Sequence, residues 1–92
     1  MRIGEKAEET VKKHFEEEGY VVLNVNDKHF PDLIAFKDGK IAFFVEVKEY
    51  QTDKKPYVPY WRGKFYESLK DKLGVETKCI NVTKDGKLEP YT

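Results

Sequence analysis

Two segments, Asp32 to Phe36 and Lys40 to Tyr50, are apolar on both alternating faces and are joined by Lys37-Asp38-Gly39. An Asp-Gly pair between two such runs is a hairpin signal. Strands apolar on both faces belong in the middle of a sheet that is covered above and below. Any fold for this chain must therefore supply a cover for each face, and two segments can do so. From Gly4 to about Glu18 the chain reads as a helix in which Ile3, Ala7, Val11 and Phe15 recur every four residues. From Tyr60 to Leu73 it reads as a second, with Trp61, Phe65, Leu69 and Leu73 at the same spacing, which makes core packing the role of Trp61. Gly19 and Gly74 stop the two helices.

The remaining segments complete the sheet. Tyr20-Val21-Val22-Leu23-Asn24-Val25 is β-branched and aromatic and reads as a first strand, followed by a loop that ends at Pro31. Residues 51–59 contain two prolines and no periodicity, so they form a loop. Val75 to Val82 holds a last clear strand, and the turn Lys84-Asp85-Gly86-Lys87 leads to a short edge strand. The order α-β-β-β-α-β predicts an α/β sandwich with a mixed sheet and a helix on each face. A length of 92 residues fits one domain, 1–92. With 14% aromatic residues beside 37% charged, disorder is excluded.

Several function classes fall away. The lone Cys79 excludes an intramolecular disulfide framework and a thiolate zinc cluster, and reads as a buried small hydrophobe. The longest apolar run, Ile41 to Val47, is broken by Glu46 and is far too short to span a bilayer. The first residues have no apolar signal region. The expectation is a cytoplasmic protein with no membrane contact and no small-molecule cofactor. The 17 basic residues balance 17 acidic ones, but unevenly along the chain. Residues 1–19 carry four basic and six acidic groups, whereas residues 51–72 carry six and three. Neutrality therefore does not exclude a nucleic-acid partner. It assigns phosphate contacts to Lys54, Lys55, Arg62 and Lys64.

The central hairpin also holds charges that a purely structural sheet should avoid. Asp32 opens one strand directly after Pro31, and Glu46 and Lys48 close the next. Folding back at Asp38-Gly39 brings Asp32 near residues 44 to 46, although the pattern alone leaves the register open. Glu46 and Lys48 are two apart and so project from one face. Two carboxylates beside a lysine make an oxygen-rich site suited to Mg²⁺, with the lysine as a positive donor near water or phosphate. The plainer readings are an exposed ion pair at a solvated strand end for Glu46 and Lys48, and turn capping for Asp32. Gln51, just past this strand, can contact phosphate, and His29, three residues before Asp32, can assist or be an ordinary loop histidine. Tyr57, Tyr60, Trp61 and Tyr66 form an aromatic cluster suited to base stacking or a dimer interface.

Pro31-Asp32 followed by Glu46-Val47-Lys48 resembles the signature of the PD-(D/E)XK nuclease superfamily. Within it the chain is most similar to archaeal Holliday-junction resolvases, whose first helix carries a glycine, three residues and a glutamate, as in Gly4-Glu5-Lys6-Ala7-Glu8. Helical geometry also singles out Glu8, at the edge of the apolar stripe, although six glutamates stand in this first segment and a solvated face explains most of them. The resemblance implies a restriction-endonuclease-like core and a Mg²⁺-dependent DNA endonuclease, with Mn²⁺ as a substitute, acting on Holliday-junction-like or other structured DNA. Asp32, Glu46, the Val47 carbonyl and Glu8 would form the metal shell, and Lys48 would orient or activate the nucleophile. A symmetric junction would call for a homodimer. The resolvases carry a serine-containing loop before the motif aspartate, whereas residues 24–30 contain no serine. A stand-alone VRR-NUC domain, with a similar Phe-Val-Glu-Val-Lys strand, is the second resemblance. The alternative function is a nuclease-fold module that binds nucleic acid without cutting, against which the intact Asp32, Glu46 and Lys48 argue.

Overall fold

A computed structural model describes residues 5–27, 30–49 and 58–90. The elements run α1 (Glu5–Glu17), β1 (Val21–Asn24), β2 (Leu33–Lys37), β3 (Lys40–Glu49), α2 (Tyr60–Leu73), β4 (Thr77–Val82) and β5 (Leu88–Pro90). The strands form one five-stranded sheet in the order β1-β2-β3-β4-β5. All neighbours are antiparallel except β3 and β4, which run parallel. A parallel pair needs a crossover connection, and α2 lies within it. The result is the α/β architecture with a mixed sheet and a helix on each face that the sequence predicts. The final edge strand is present, and it ends on Pro90, a residue an edge tolerates because no further strand needs its missing N–H.

α1 covers one face. Its Ala7, Val11 and Phe15 are buried against Val22, Leu33, Ala35, Phe43, Val45, Val47, Ile80 and Val82. Phe15, Tyr20 and Phe43 meet edge to face at centroid distances of 5.0 to 6.0 Å, the arrangement that ring quadrupoles favour. The other face is covered more lightly, by a small cluster of Phe44, Leu69 and Val75 with Phe30, Ile34 and Phe65 packed against it. Gly74 closes α2 in the left-handed conformation at φ 71°, donating its N–H to the Lys70 carbonyl.

One expectation is overturned here. Trp61 does not enter the core: it is 59% exposed, and Leu73, at the other end of the same series, is 57% exposed. A four-residue step overshoots a helical turn by about 40°, so three steps spread the series over about 120°. Phe65 and Leu69 sit mid-stripe and face the sheet, while the two ends rotate into solvent.

The hairpin is where the site is decided. Asp38 and Gly39 both have positive φ, 54° and 76°, as a two-residue type I′ turn requires. From this turn Lys37 pairs with Lys40 and Phe36 with Ile41, but Ala35 then pairs with Phe43. Ala42 is thus the extra residue of a β-bulge. Beyond it Ile34 lies opposite Phe44 and Leu33 opposite Val45, which carries Asp32 opposite Glu46.

Leu33 is fully buried in the larger cluster, so Leu33→Ala is expected to lower unfolding free energy by about 3 kcal/mol. Trp61→Ala and Leu73→Ala are expected to cost about 1 kcal/mol or less. Urea denaturation of the three variants checks the two exposed ends of α2 against the sheet core.

Candidate active site

The site lies at the end of the hairpin remote from its turn, on the face covered by α2. Glu46 is its centre. The carboxylate belongs to a strand whose neighbours Val45 and Val47 point into the opposite core, so it must point towards α2. It is only 3% exposed. Leaving water costs an ionised carboxylate several kcal/mol unless partners replace the solvent. Its partners come from α2: Arg62 Nη1 lies 2.6 Å from Glu46 Oε2, and the Tyr66 hydroxyl donates to the same oxygen at 2.9 Å. Arg62 and Tyr66 are one helical turn apart and so face the sheet together; their own polar atoms are 3.5 Å apart. Lys48 Nζ stands 3.8 Å from Glu46 Oε1.

Asp32 is held differently. Its Oδ2 accepts the Val47 N–H at 2.8 Å. The amide and carbonyl of one strand residue point to the same edge, so the Val47 carbonyl is directed to the side on which Asp32 lies. The β2–β3 ladder extends no further towards this end than Leu33 and Val45, which leaves that carbonyl beyond the last rung.

The electrostatics follow from burial. Desolvation raises the Asp32 pKa above its ordinary value, and the Val47 amide, Lys48 and Arg62 pull it back in part. Desolvation raises Glu46 as well, and the negative charge of Asp32 adds to the rise, while Tyr66, Arg62 and Lys48 oppose it. Burial, the bond to Glu46 and its charge hold the Tyr66 phenol well above the usual range. A buried carboxylate whose pKa is raised further by a second carboxylate beside it forms with it a pair a divalent cation would relieve. The donor set, carboxylate oxygens and a backbone carbonyl beside a lysine, has the hard-oxygen chemistry of a Mg²⁺ or Mn²⁺ site. The residues present therefore fit such an ion.

The sequence-nominated residues divide by location. Asp32, Glu46, Val47 and Lys48 converge. Glu8 is half-buried on α1, next to Ala7, whose side chain packs on the far face of the sheet. Among the described residues no three His, Cys, Asp or Glu side chains gather as a metal-holding group, so the carboxylates brought together are Asp32 and Glu46. Arg62, read from sequence as a phosphate contact, lies on Glu46. Lys64 is exposed one turn along α2 and pairs with Glu67 at 3.4 Å. His29, Gln51, Lys54 and Lys55 lie outside the described residues.

Sequence reasoning did not connect Tyr66 to Glu46, and it missed Asn81. Asn81 sits beside Lys48 in the β3–β4 register, is 2% exposed, and its Oδ1 has no hydrogen-bond partner among the described residues. Its signal is a lone amide inside the buried run Cys79-Ile80-Asn81-Val82. The spacing of four between Arg62 and Tyr66 on a sheet-covering helix is the corresponding signal for that pair.

The arrangement defines a restriction-endonuclease-like fold, with its charged residues at the end of the central hairpin. Among the solved structures it matches is that of Hjc, a Holliday junction resolvase from the archaeal hyperthermophile Archaeoglobus fulgidus. The TM-score is 0.80 at 14% sequence identity, over 98% of this chain and 72% of that one. At that identity the likeness is one of fold. No protein-family model and no curated protein matches the sequence. Among the described residues no helix is long and apolar enough to cross a membrane.

Two measurements test the electrostatics. Asp32→Asn keeps an acceptor for the Val47 N–H but removes a desolvated charge. A carboxylate whose folded pKa is raised loses stability as pH climbs from its unfolded pKa through its folded one. In chelator the variant is thus expected to melt above wild type at pH 7, with the gap closing near pH 4. The Cys79 thiol, 4% exposed, is pushed up to about 11 by burial and by Glu46. At pH 8 roughly one thiol in a thousand is then ionised, and iodoacetamide should label Cys79 rapidly only after unfolding in urea.

Proposed function

We propose that residues 1–92 form a divalent-metal-dependent DNA endonuclease that hydrolyses phosphodiester bonds in Holliday-junction-like or other branched DNA. The observation that carries this reading is the convergence of Asp32, Glu46 and Lys48 on one sheet face at the end of the hairpin. The fold shared with a Holliday junction resolvase supports the substrate class.

In this reading Asp32, Glu46 and the Val47 carbonyl would hold Mg²⁺, or Mn²⁺ in its place, and Glu8 would add a more distant acidic group. Such an ion, when bound, would supply positive charge for the phosphoryl oxygens and lower the pKa of a water. Asp32 is oriented by the Val47 N–H, and Glu46 by α2, so both carboxylates are fixed before substrate arrives. Lys48, half-exposed beside Glu46, faces the position where a phosphate would lie. It orients the attacking water and stabilises the charge that develops on the phosphoryl oxygens. Lys54, Lys55, Lys64, Gln51 and His29 would add contacts to the DNA backbone. Two-fold symmetric cleavage of a junction calls for a homodimer, and a DNA enzyme of this kind works in the cytoplasm.

The test is a Mg²⁺-dependent cleavage assay over four-way junction, flap, single-stranded and duplex DNA at matched concentration. Wild type is expected to cut the junction in preference. Asp32→Asn, Glu46→Gln and Lys48→Ala are each expected to lower cleavage by at least about a hundredfold while circular dichroism stays native. Full activity in any of them sinks the site assignment, and equal cutting of all four substrates excludes a junction-selective enzyme.

A further inference from the structure

Glu46 already has a cation. Arg62 Nη1 lies 2.6 Å from its Oε2, and the Arg62 side chain is itself only 16% exposed. With Lys48 at 3.8 Å from Oε1, the formal charges of Asp32, Glu46, Lys48 and Arg62 sum to zero. A site balanced in this way has little excess negative charge with which to draw in a divalent ion. A guanidinium in contact with a ligand oxygen also repels a second cation at the same carboxylate, the more strongly because little water screens the pair.

The surroundings of Arg62 give it somewhere to go. While bonded to Glu46 it already keeps its Cζ 5.1 Å from the ring of the exposed Trp61, so an outward turn starts from a cation–π contact at the solvent side and not from a closed core. Tyr66 also donates to Oε2, so Glu46 keeps a neutral hydrogen bond when the guanidinium leaves. The guanidinium is planar and bidentate, the geometry that matches a phosphate once it is released from the carboxylate.

We propose that Arg62 is an exchangeable counter-cation: it neutralises Glu46 in the metal-free protein and hands the carboxylate over when a divalent ion binds, turning outward towards the DNA phosphate. This rests on the metal-site reading above and adds a regulation to it. Because one residue opposes metal and favours phosphate, metal and DNA strengthen each other's binding, and the coupling is reciprocal.

Calorimetric titration of Mn²⁺ alone into the full chain tests this without reference to activity. Arg62→Gln is expected to bind Mn²⁺ at least about fivefold more tightly than wild type. Lys72→Gln, which makes the same charge change about 15 Å along α2, is expected to leave affinity unchanged. Arg62→Lys, which restores a cation, is expected to return affinity to near the wild-type value. In a second titration with a phosphorothioate four-way junction present, wild type should gain more Mn²⁺ affinity than Arg62→Gln. Should Arg62→Gln fail to fold, Tyr66→Phe carries the test: freeing one bond on Oε2 should tighten Mn²⁺ in the same direction by less. Unchanged or weaker binding in these variants, or equal tightening in Lys72→Gln, overturns the counter-cation while leaving the metal site standing. Absence of Mn²⁺ binding in wild type and every variant overturns both.

Discussion

A single extra residue decides which side of the sheet the chemistry can occupy. Directly opposed residues of an antiparallel pair share a face, and a shift of one exchanges the faces. The type I′ turn pairs Lys37 with Lys40; continued without interruption, that register would set Asp32 opposite Val45. The two carboxylates would then project from opposite faces, one among the apolar side chains under α1. The bulge at Ala42 moves the ladder by one and puts Asp32 opposite Glu46. The same shift lets Leu33, Ala35, Phe43 and Val45 share one core and Ile34 and Phe44 the other. Packing and site geometry thus depend on one event, and the burial of Leu33 and Val45 makes any other register expensive.

The two helices have different tasks as a consequence. α1 closes an apolar face and contributes three fully covered side chains to it. α2 must cover apolar residues near its C-terminal half and serve a buried carboxylate near its N-terminal half. Among its described residues Leu69 is the buried one, and Tyr66 and Arg62 occupy the inward positions one and two turns earlier. Polar groups in those positions weaken the apolar contact with the sheet. They also allow Glu46 to remain at 3% exposure without being an unpaired charge. β4 shows the same division: Ile80 and Val82 point into the α1 core, while Cys79 and Asn81 line the site beside Glu46 and Lys48.

Much of this was legible from residue patterns. The doubly apolar hairpin demanded a covered central sheet, the four-residue spacings supplied two helices, and α2 begins and ends at the residues expected. The trio Asp32, Glu46 and Lys48 stood out because ionised groups do not belong in such strands without a task. Trp61 does not fit its expected core role because a spacing of four looks like one face over two turns but drifts off it over three. Arg62 was assigned to phosphate because a basic residue in a positively charged segment looks solvated; its partner lies 16 residues away in sequence and meets it only once α2 crosses the sheet. Asn81 was missed for a related reason, since a lone amide in an apolar strand becomes meaningful only beside Lys48.

Local composition by itself therefore determined the elements, the turn and the identity of the unusual charges, because periodicity and turn chemistry are properties of neighbouring residues. The tertiary structure alone decided the register, the shared face of Asp32 and Glu46, and the attachment of Arg62 and Tyr66 to Glu46. Those depend on where a bulge falls and on which helix turn lies over which strand, and both are set by the packing of residues far apart in the chain.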